Sequence, residues 1–325
     1  MMFLYQVIRD HIMILGCSGY HGTVKIPEKI DERPVEELAA YAFSPGRGHA
    51  EVLKEAGDRI YLADSDGNSL GQAKELPLVS DEELKELSLP KTIKKIGNYA
   101  FYNCFSFAAL SFYSSIEDIG SGLFTGCTRI RNLDIYIVEG KRSCMKDVIT
   151  ELRQELYVNY YSQAGEAKLV FTEMYEEAVE HTPARIIMTE MHGCGHMYRY
   201  CFEQSNFLFH KYDALFPHLL VQEPESVVAA LVMGRLRYPV ELMDKDRCIY
   251  EDYLKEHVKG AMKLSLENGD TDQALWLGER YGTEKQGLDS MIEEAGTRSR
   301  NAEVLSYLMD LRHQRFAPKK RTFSL

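Results

Sequence analysis

The chain has 325 residues, 45% hydrophobic and 11% aromatic, with a formal net charge of −11. That length points to about two domains, each with its own core. The acidic balance argues against a nucleic-acid surface, which needs clustered Lys and Arg. Lys319-Lys320-Arg321 is the one local exception and reads as a solvated end. Seven cysteines, odd in number and unevenly spaced, do not form a disulfide framework and are expected as reduced thiols.

Residues Tyr5–Ile8 and Ile12–Leu15 alternate in polarity, which predicts a β-hairpin covering an open end of the fold. Arg9, Asp10 and His11 interrupt any apolar leader, so no signal peptide is expected. Ile14-Leu15-Gly16-Cys17 has the look of a lipoprotein cleavage box but lacks the greasy segment before it.

A first, irregular unit reads Val24-Lys25-Ile26-Pro27, Leu38 and Ala42-Phe43. An insertion over about 44–80 separates it from the rest. Within the insertion, Asp64-Ser65-Asp66-Gly67-Asn68 is a turn cluster between apolar runs. Its D-x-D-x-N start resembles a calcium loop, but Gly67 is at position 4 rather than 6, so a hairpin turn is expected.

Two copies in register then follow. Leu87-Ser88-Leu89-Pro90, Ile93, Ile96-Gly97, Ala100-Phe101 and Cys104 are answered 23 residues later by Leu110-Ser111-Phe112, Ile116, Ile119-Gly120, Phe124 and Cys127. A third begins at Leu133-Asp134-Ile135. A period in that range marks a solenoid, whose units bury their apolar faces only against one another. Alternation turns the Leu84/Leu87/Leu89, Phe107/Leu110/Phe112 and Ile130/Leu133/Ile135 sets inward on parallel strands. Lys25, Ser88, Ser111 and Asp134 therefore point outward. Phe101 and Phe124 are expected to stack as an internal column, with Cys104 and Cys127 filling small interior positions.

The run of strand, Pro, Ile-Gly, Ala-Phe, Cys resembles the BspA-type leucine-rich repeat over about the first 140 residues. The resemblance implies a bacterial protein and a ligand-binding or adhesive solenoid, with no catalytic residues in its repeats. Tyr113 for Pro and Leu123 for Ala depart from the pattern, so one strand end is expected to differ.

From about 145 the period changes to 3.6, and Val148, Leu152 and Leu156 predict an amphipathic helix. In the segment Thr182–Pro217, Met188-Thr189-Glu190-Met191-His192-Gly193-Cys194-Gly195-His196 and Cys201 hold two His and two Cys, a legitimate zinc set. The spacing H-x-C-x-H-x₄-C strains a chelate in extended chain, and Gly193 and Gly195 indicate a tight turn. Tyr198, Tyr200, Phe202, Phe207, Phe209, Tyr212 and Phe216 read as junction core between the two halves.

The rest reads as helices. Ser226–Leu236 is halted by Tyr238-Pro239. Leu254, Val258, Ala261, Met262 and Leu266 share one stripe, stopped at Asn268-Gly269. Asp270 caps the next helix, Thr283 with Gln286 forms a capping box, and Asn301 starts the last. The longest apolar run, Val227–Met233, is far below the ~18–20 residues of a membrane span. Short helices joined by Gly, Asn, Thr and Asp turns resemble ankyrin-type pairs, although the T-P-L-H signature is missing.

The expected fold is thus α and β in two domains, a short leucine-rich-repeat solenoid with parallel strands followed by an all-α helical-hairpin domain. The expected boundaries are 1–143 for the solenoid with its hairpin cap, 144–217 for a junction and 218–325 for the helices. The expected function is non-enzymatic: an interaction or scaffold module of a bacterial cytoplasm. Another protein is its partner, without cofactor, nucleic acid or membrane. Lys25, Ser88, Ser111 and Asp134 are the candidate binding residues. Four strands at ~4.8 Å span only about 15 Å. Such a face is far below the ~800 Å² per partner of a standard interface. One alternative is a metal- or thiol-dependent enzyme centred on 190–201, with His192, Cys194, His196 and Cys201 as ligands. Another is a cell-surface adhesin.

Overall fold

A computed structural model of the chain describes residues 1–19, 22–73, 84–181, 186–297 and 302–316. It divides into two units, Met1–Tyr212 and Asp213–Leu325. The basic cluster at 319–321 and the helix start at Asn301 lie outside the described residues.

The first unit opens with the expected antiparallel hairpin, β1 (Met2–Ile8) and β2 (His11–Ser18). The first coil follows as β3 (Thr23–Lys25), β4 (Lys29–Ile30) and β5 (Arg33–Leu38). The insertion carries helix α1 (Arg47–Ala56), which buries His49, Leu53 and Ala56 at helical spacing. It then forms a hairpin, β6 (Tyr61–Asp64) and β7 (Ser69–Gln72). The regular coils supply β8 (Glu86–Ser88), β9 (Lys95–Ile96), β10 (Ala109–Tyr113), β11 (Asp118–Ile119) and β12 (Asn132–Tyr136).

The coil strands pair in parallel, Val24 with Leu87, Leu87 with Leu110 and Leu110 with Leu133. Rung one therefore lies directly against rung two despite the insertion. All nine apolar positions of the strand frame are buried. Phe101 stacks on Phe124 with centroids 5.7 Å apart and meets Phe43 at 5.8 Å. The Cys104 thiol donates to the Phe43 carbonyl (3.1 Å) and Cys127 to Phe101 (2.9 Å), each reaching back one coil. Tyr113 retains the N–H that Pro90 lacks, and β10 accordingly runs five residues where β8 runs three.

The return arcs form a second sheet, ordered β11-β9-β5-β2-β1-β6-β7, so the N-terminal hairpin and the insertion extend the arcs. Its rungs approach closely. A Cβ on Gly97 would lie 2.3 Å from the Ala40 nitrogen, and one on Gly120 2.4 Å from the Asn98 nitrogen.

Past residue 143 the structure corrects the helical reading. Helix α2 (Met145–Glu151) is only seven residues long. Leu156 instead opens β13 (Leu156–Ser162), which pairs in parallel with β12 as a fifth rung. The period-two set Leu156, Val158 and Tyr160 prevails because Leu156 and Val158 bury against the existing sheet. The antiparallel strand β14 (Gly165–Phe171) ends that sheet, whose order is β14-β13-β12-β10-β8-β3. The Tyr212 hydroxyl donates to the Val170 carbonyl and accepts from its N–H, occupying part of the outer edge. A separate hairpin, β15 (Tyr175–His181) with β16 (Ile186–His192), precedes α3 (Gly195–Arg199), β17 (Phe202–Glu203) and β18 (Asn206–Phe207). Helix α4 (Phe209–Asp213) carries the unit boundary.

The second unit is helical: α5 (Phe216–Gln222), α6 (Glu225–Arg237), α7 (Asp244–Glu256), α8 (Val258–Glu267), α9 (Thr271–Tyr281), α10 (Lys285–Gly296) and α11 (Ala302–Phe316). The single stripe expected from Leu254 to Leu266 is divided at His257, which leaves helical dihedrals. Asp270 caps α9 through the Gln273 N–H at 2.8 Å, as expected. The Thr283–Gln286 capping box does not form. Helix α10 begins one residue later than such a box requires, with Glu284 at its N-cap, and Thr283 falls outside. Alternate helices pack together, α6 with α8, α8 with α10 and α9 with α11. A buried pair fixes the start of this unit. Arg235 donates to both Asp213 oxygens at 2.8 Å, and the Tyr250 hydroxyl adds a 2.9 Å bond. Among the described residues no helix is long and apolar enough to cross a membrane.

Candidate functional site

Parallel rungs place equivalent residues side by side at ~4.8 Å, so the outward positions line up in columns. One column is the predicted set. Lys25, Ser88, Ser111 and Asp134 are in register, and Asn159 of β13 continues them. The Ser111 hydroxyl donates to Asp134 Oδ2 and the Asn159 amide to Oδ1, both at 2.8 Å. Asp134 is thereby held by a donor on each side while its remaining lone pairs stay outward. Lys25 is exposed, and among the described residues it has no carboxylate partner.

Two residues on, a tyrosine column runs beside the polar one. Tyr113 stacks on Tyr136 and Tyr136 on Tyr161, each pair 4.9 Å apart. Burial, then the Asp134 charge, raises the Tyr136 hydroxyl pKa. In strand register the position before Tyr113 is Pro90. The tyrosine stack therefore begins at Tyr113, with Pro90 in the next position of the column.

The first rungs border a groove of about 670 Å³ that includes Lys25, Glu28, Asp66, Ser88, Ser111 and Tyr113. Its further wall is the β6–β7 turn. Asp64 closes that turn on itself, accepting from the Asp66 and Asn68 N–H groups and the Asn68 amide at 2.9 Å each, the hairpin turn expected in place of a calcium loop. These bonds, the Asn68 amide first, lower the Asp64 pKa. Gly67 seats the turn on the first coil, where a Cβ would lie 2.2 Å from the Lys29 carbonyl oxygen. The sequence missed Asn159, because its rung read as helix. It also missed Asp66, because only the folded insertion brings it to rung one. The alternation of Tyr157, Asn159 and Tyr161 was the available signal.

The four residues of the alternative enzyme reading serve separate surroundings. His192 ends β16 beside Glu177 (3.2 Å) and the Tyr175 ring. Cys194 is buried against the Thr172 hydroxyl at 3.5 Å, and the Cys201 thiol faces the Met197 carbonyl. His196 lies against Tyr200. Among the described residues no three His, Cys, Asp or Glu side chains gather as a metal cage. Arg199 shows what this stretch does hold. Fully buried, it donates to the carbonyls of Leu152, Gln154, Thr172 and Gly195. Burial brings its guanidinium pKa down to about 10. The aromatic run around it divides. Tyr198, Phe207, Phe209 and Tyr212 pack within the first unit, Phe216 packs on Tyr250 in the second, and Tyr200 is exposed.

A comparison with curated proteins finds no match. Three solved structures illustrate what the chain is similar to. A leucine-rich repeat protein from Bacteroides ovatus is 17% identical over 42% of this chain and 30% of that one, with a TM-score of 0.27. A leucine rich cell surface protein from Faecalibacterium prausnitzii is 16% identical over 43% of this chain and 36% of that one, with a TM-score of 0.26. The leucine rich repeat protein of T. pallidum is 24% identical over 41% of this chain and 68% of that one, with a TM-score of 0.18. The match thus spans about a third of the length of the first two. Residues 79–149, the stretch that contains the regular coils, match the family described as BspA type leucine rich repeat region.

Proposed function

We propose that the protein is a non-enzymatic protein-interaction module whose outward strand face receives an extended segment of a partner. The observation that carries this reading is the pair of columns, polar Ser111–Asp134–Asn159 beside Tyr113–Tyr136–Tyr161, bordering an open groove. Size favours a segment over a folded partner. Six strands at ~4.8 Å by about five residues at ~3.3 Å give a face of roughly 400 Å². That exceeds the four-strand expectation but stays below the ~800 Å² a folded partner buries. Lys25, Ser88, Ser111 and Asp134 are its contact residues.

The helical unit, with alternate helices packed together, is read as an ankyrin-like stack offering a second scaffold surface. Seven cysteines, six of them buried thiols, suit a reducing compartment such as a bacterial cytoplasm. The test is to pan a random peptide library on the full chain and challenge the enriched peptides with Ser88→Arg, which fills the face. Loss of at least tenfold in affinity supports the reading. Unchanged binding, or no enrichment over an unrelated domain, overturns it.

A further inference from the structure

Helix α1 is held to the first unit by few contacts. Among the described elements, its most extensive contact is with the 3-10 turn Gly57–Arg59 that follows it. It has ten residues, no side-chain cap and no acidic residue in its first turn, so it depends on docking to stay helical. Gln6 of β1 donates to the Ala56 carbonyl at 3.4 Å. The Tyr41 ring fills the space beside Gly48, where a Cβ would lie 2.6 Å from it. The buried polar contact of the helix is His49, only 2% exposed. Its ring lies so close to the β2 backbone that a Cβ on Gly16 would be 2.9 Å from Nε2. Nε2 donates to the Leu15 carbonyl at 2.9 Å, so Nδ1 is the atom that takes up a second proton. Among the described residues no hydrogen bond reaches Nδ1.

No charge on the surrounding elements meets that proton. On β2, Cys17 is a thiol that burial pushes up to about 12, and His11 lies at the far end against Glu37 at 3.0 Å. Tyr41, before the helix, is turned to Gly48. On α1 itself Arg47 pairs with Glu51 at 2.9 Å, and Lys54 and Glu55 are exposed. Burial therefore lowers the His49 pKa below its ordinary 6.5, and the Leu15 carbonyl offsets only part of that. The neutral ring is the form that fits. Its contribution to docking is fully present above pH 6.5 and is lost as the pH falls below that value.

We infer that α1 is an acid-released flap of the first unit, undocking when His49 takes up a proton that no neighbouring group can pair. The helix opens while the coils stay folded, because the rungs hold one another through backbone bonds in both sheets. Opening uncovers Leu53 and Ala56 of the helix and the β2 backbone at Leu15.

The test is hydrogen exchange of the full chain, read by mass spectrometry at about pH 7.5 and about pH 5, each rate divided by the intrinsic rate at that pH. Protection of the α1 amides falls at least threefold at the lower pH, while β10 and β12 keep theirs. His49→Gln retains a donor for the Leu15 carbonyl and cannot titrate, so its α1 is equally protected at both. A wild-type helix with the same protection at both pH values, or a His49→Gln helix that still opens in acid, overturns the proposal. So does a loss that β10 and β12 share, because that is global unfolding. Should His49→Gln fail to dock near neutral pH, NMR titration of the His49 ring in the wild-type chain decides. A midpoint below 6.5 upholds the proposal, and one at or above 6.5 overturns it.

Discussion

The two sheets of the first unit are built from the same coils and differ in what they leave open. On the return side, rungs such as β5 and β9 meet so closely that Gly97 and Gly120 have no room for a side chain. On the strand side, the same rungs carry hydroxyls, carboxylates and tyrosines outward, with a groove above them. One side is closed by backbone contact between coils and the other presents side chains outward. A solenoid separates shape from recognition in this way because each residue of the repeat meets only its counterpart in the next coil.

That contrast is broken or sharpened by substitution. Gly97→Ala places a Cβ against the Ala40 backbone and is expected to cost about 3 kcal/mol, at the upper end for overpacking. Urea unfolding measures it, and a loss below about 0.5 kcal/mol means the rungs can part and the return side is not the rigid one. Asp134→Ala removes two cross-rung bonds on the strand face, and a smaller loss of about 1–2 kcal/mol is expected by the same measurement. A loss equal to that of Gly97→Ala would make the outward column structural. Lys94→Gln deletes an exposed pair with Glu36 between coils (2.7 Å) and should change stability by about 0.5 kcal/mol or less, with the difference vanishing in high salt.

How much of this was legible follows from where the repeat is regular. The strand frame, the aromatic column and the outward Ser88, Ser111 and Asp134 could be read because equivalent positions recur every 23 residues, and the hairpin cap because its polarity alternates. The fifth rung could not, because the repeat lapses after β10: neither β12 nor β13 is followed by the Ile-Gly and Phe that mark the coils of β8 and β10. Leu156 also fits a helical spacing with Val148 and Leu152. Helix α1 was hidden behind Gly46 and Gly48, although His49, Leu53 and Ala56 carried its signal. In the second unit the Asp270 cap was legible because it depends on neighbouring residues alone. The failed capping box shows the limit of that logic, since α10 starts past Thr283, with Glu284 at its N-cap.

The seating of β3 against β8 has a kinetic consequence. Thr23 and Glu86 touch across 63 residues of chain, whereas Ser111 and Asp134 are 23 apart. Closing the longer loop costs about 0.9 kcal/mol more in chain entropy. Loop length alone therefore favours closure of the later coils before the rung bearing Lys25. Anything that clasps both sides of that seam acts as a latch on the joint with the longest loop between its rungs.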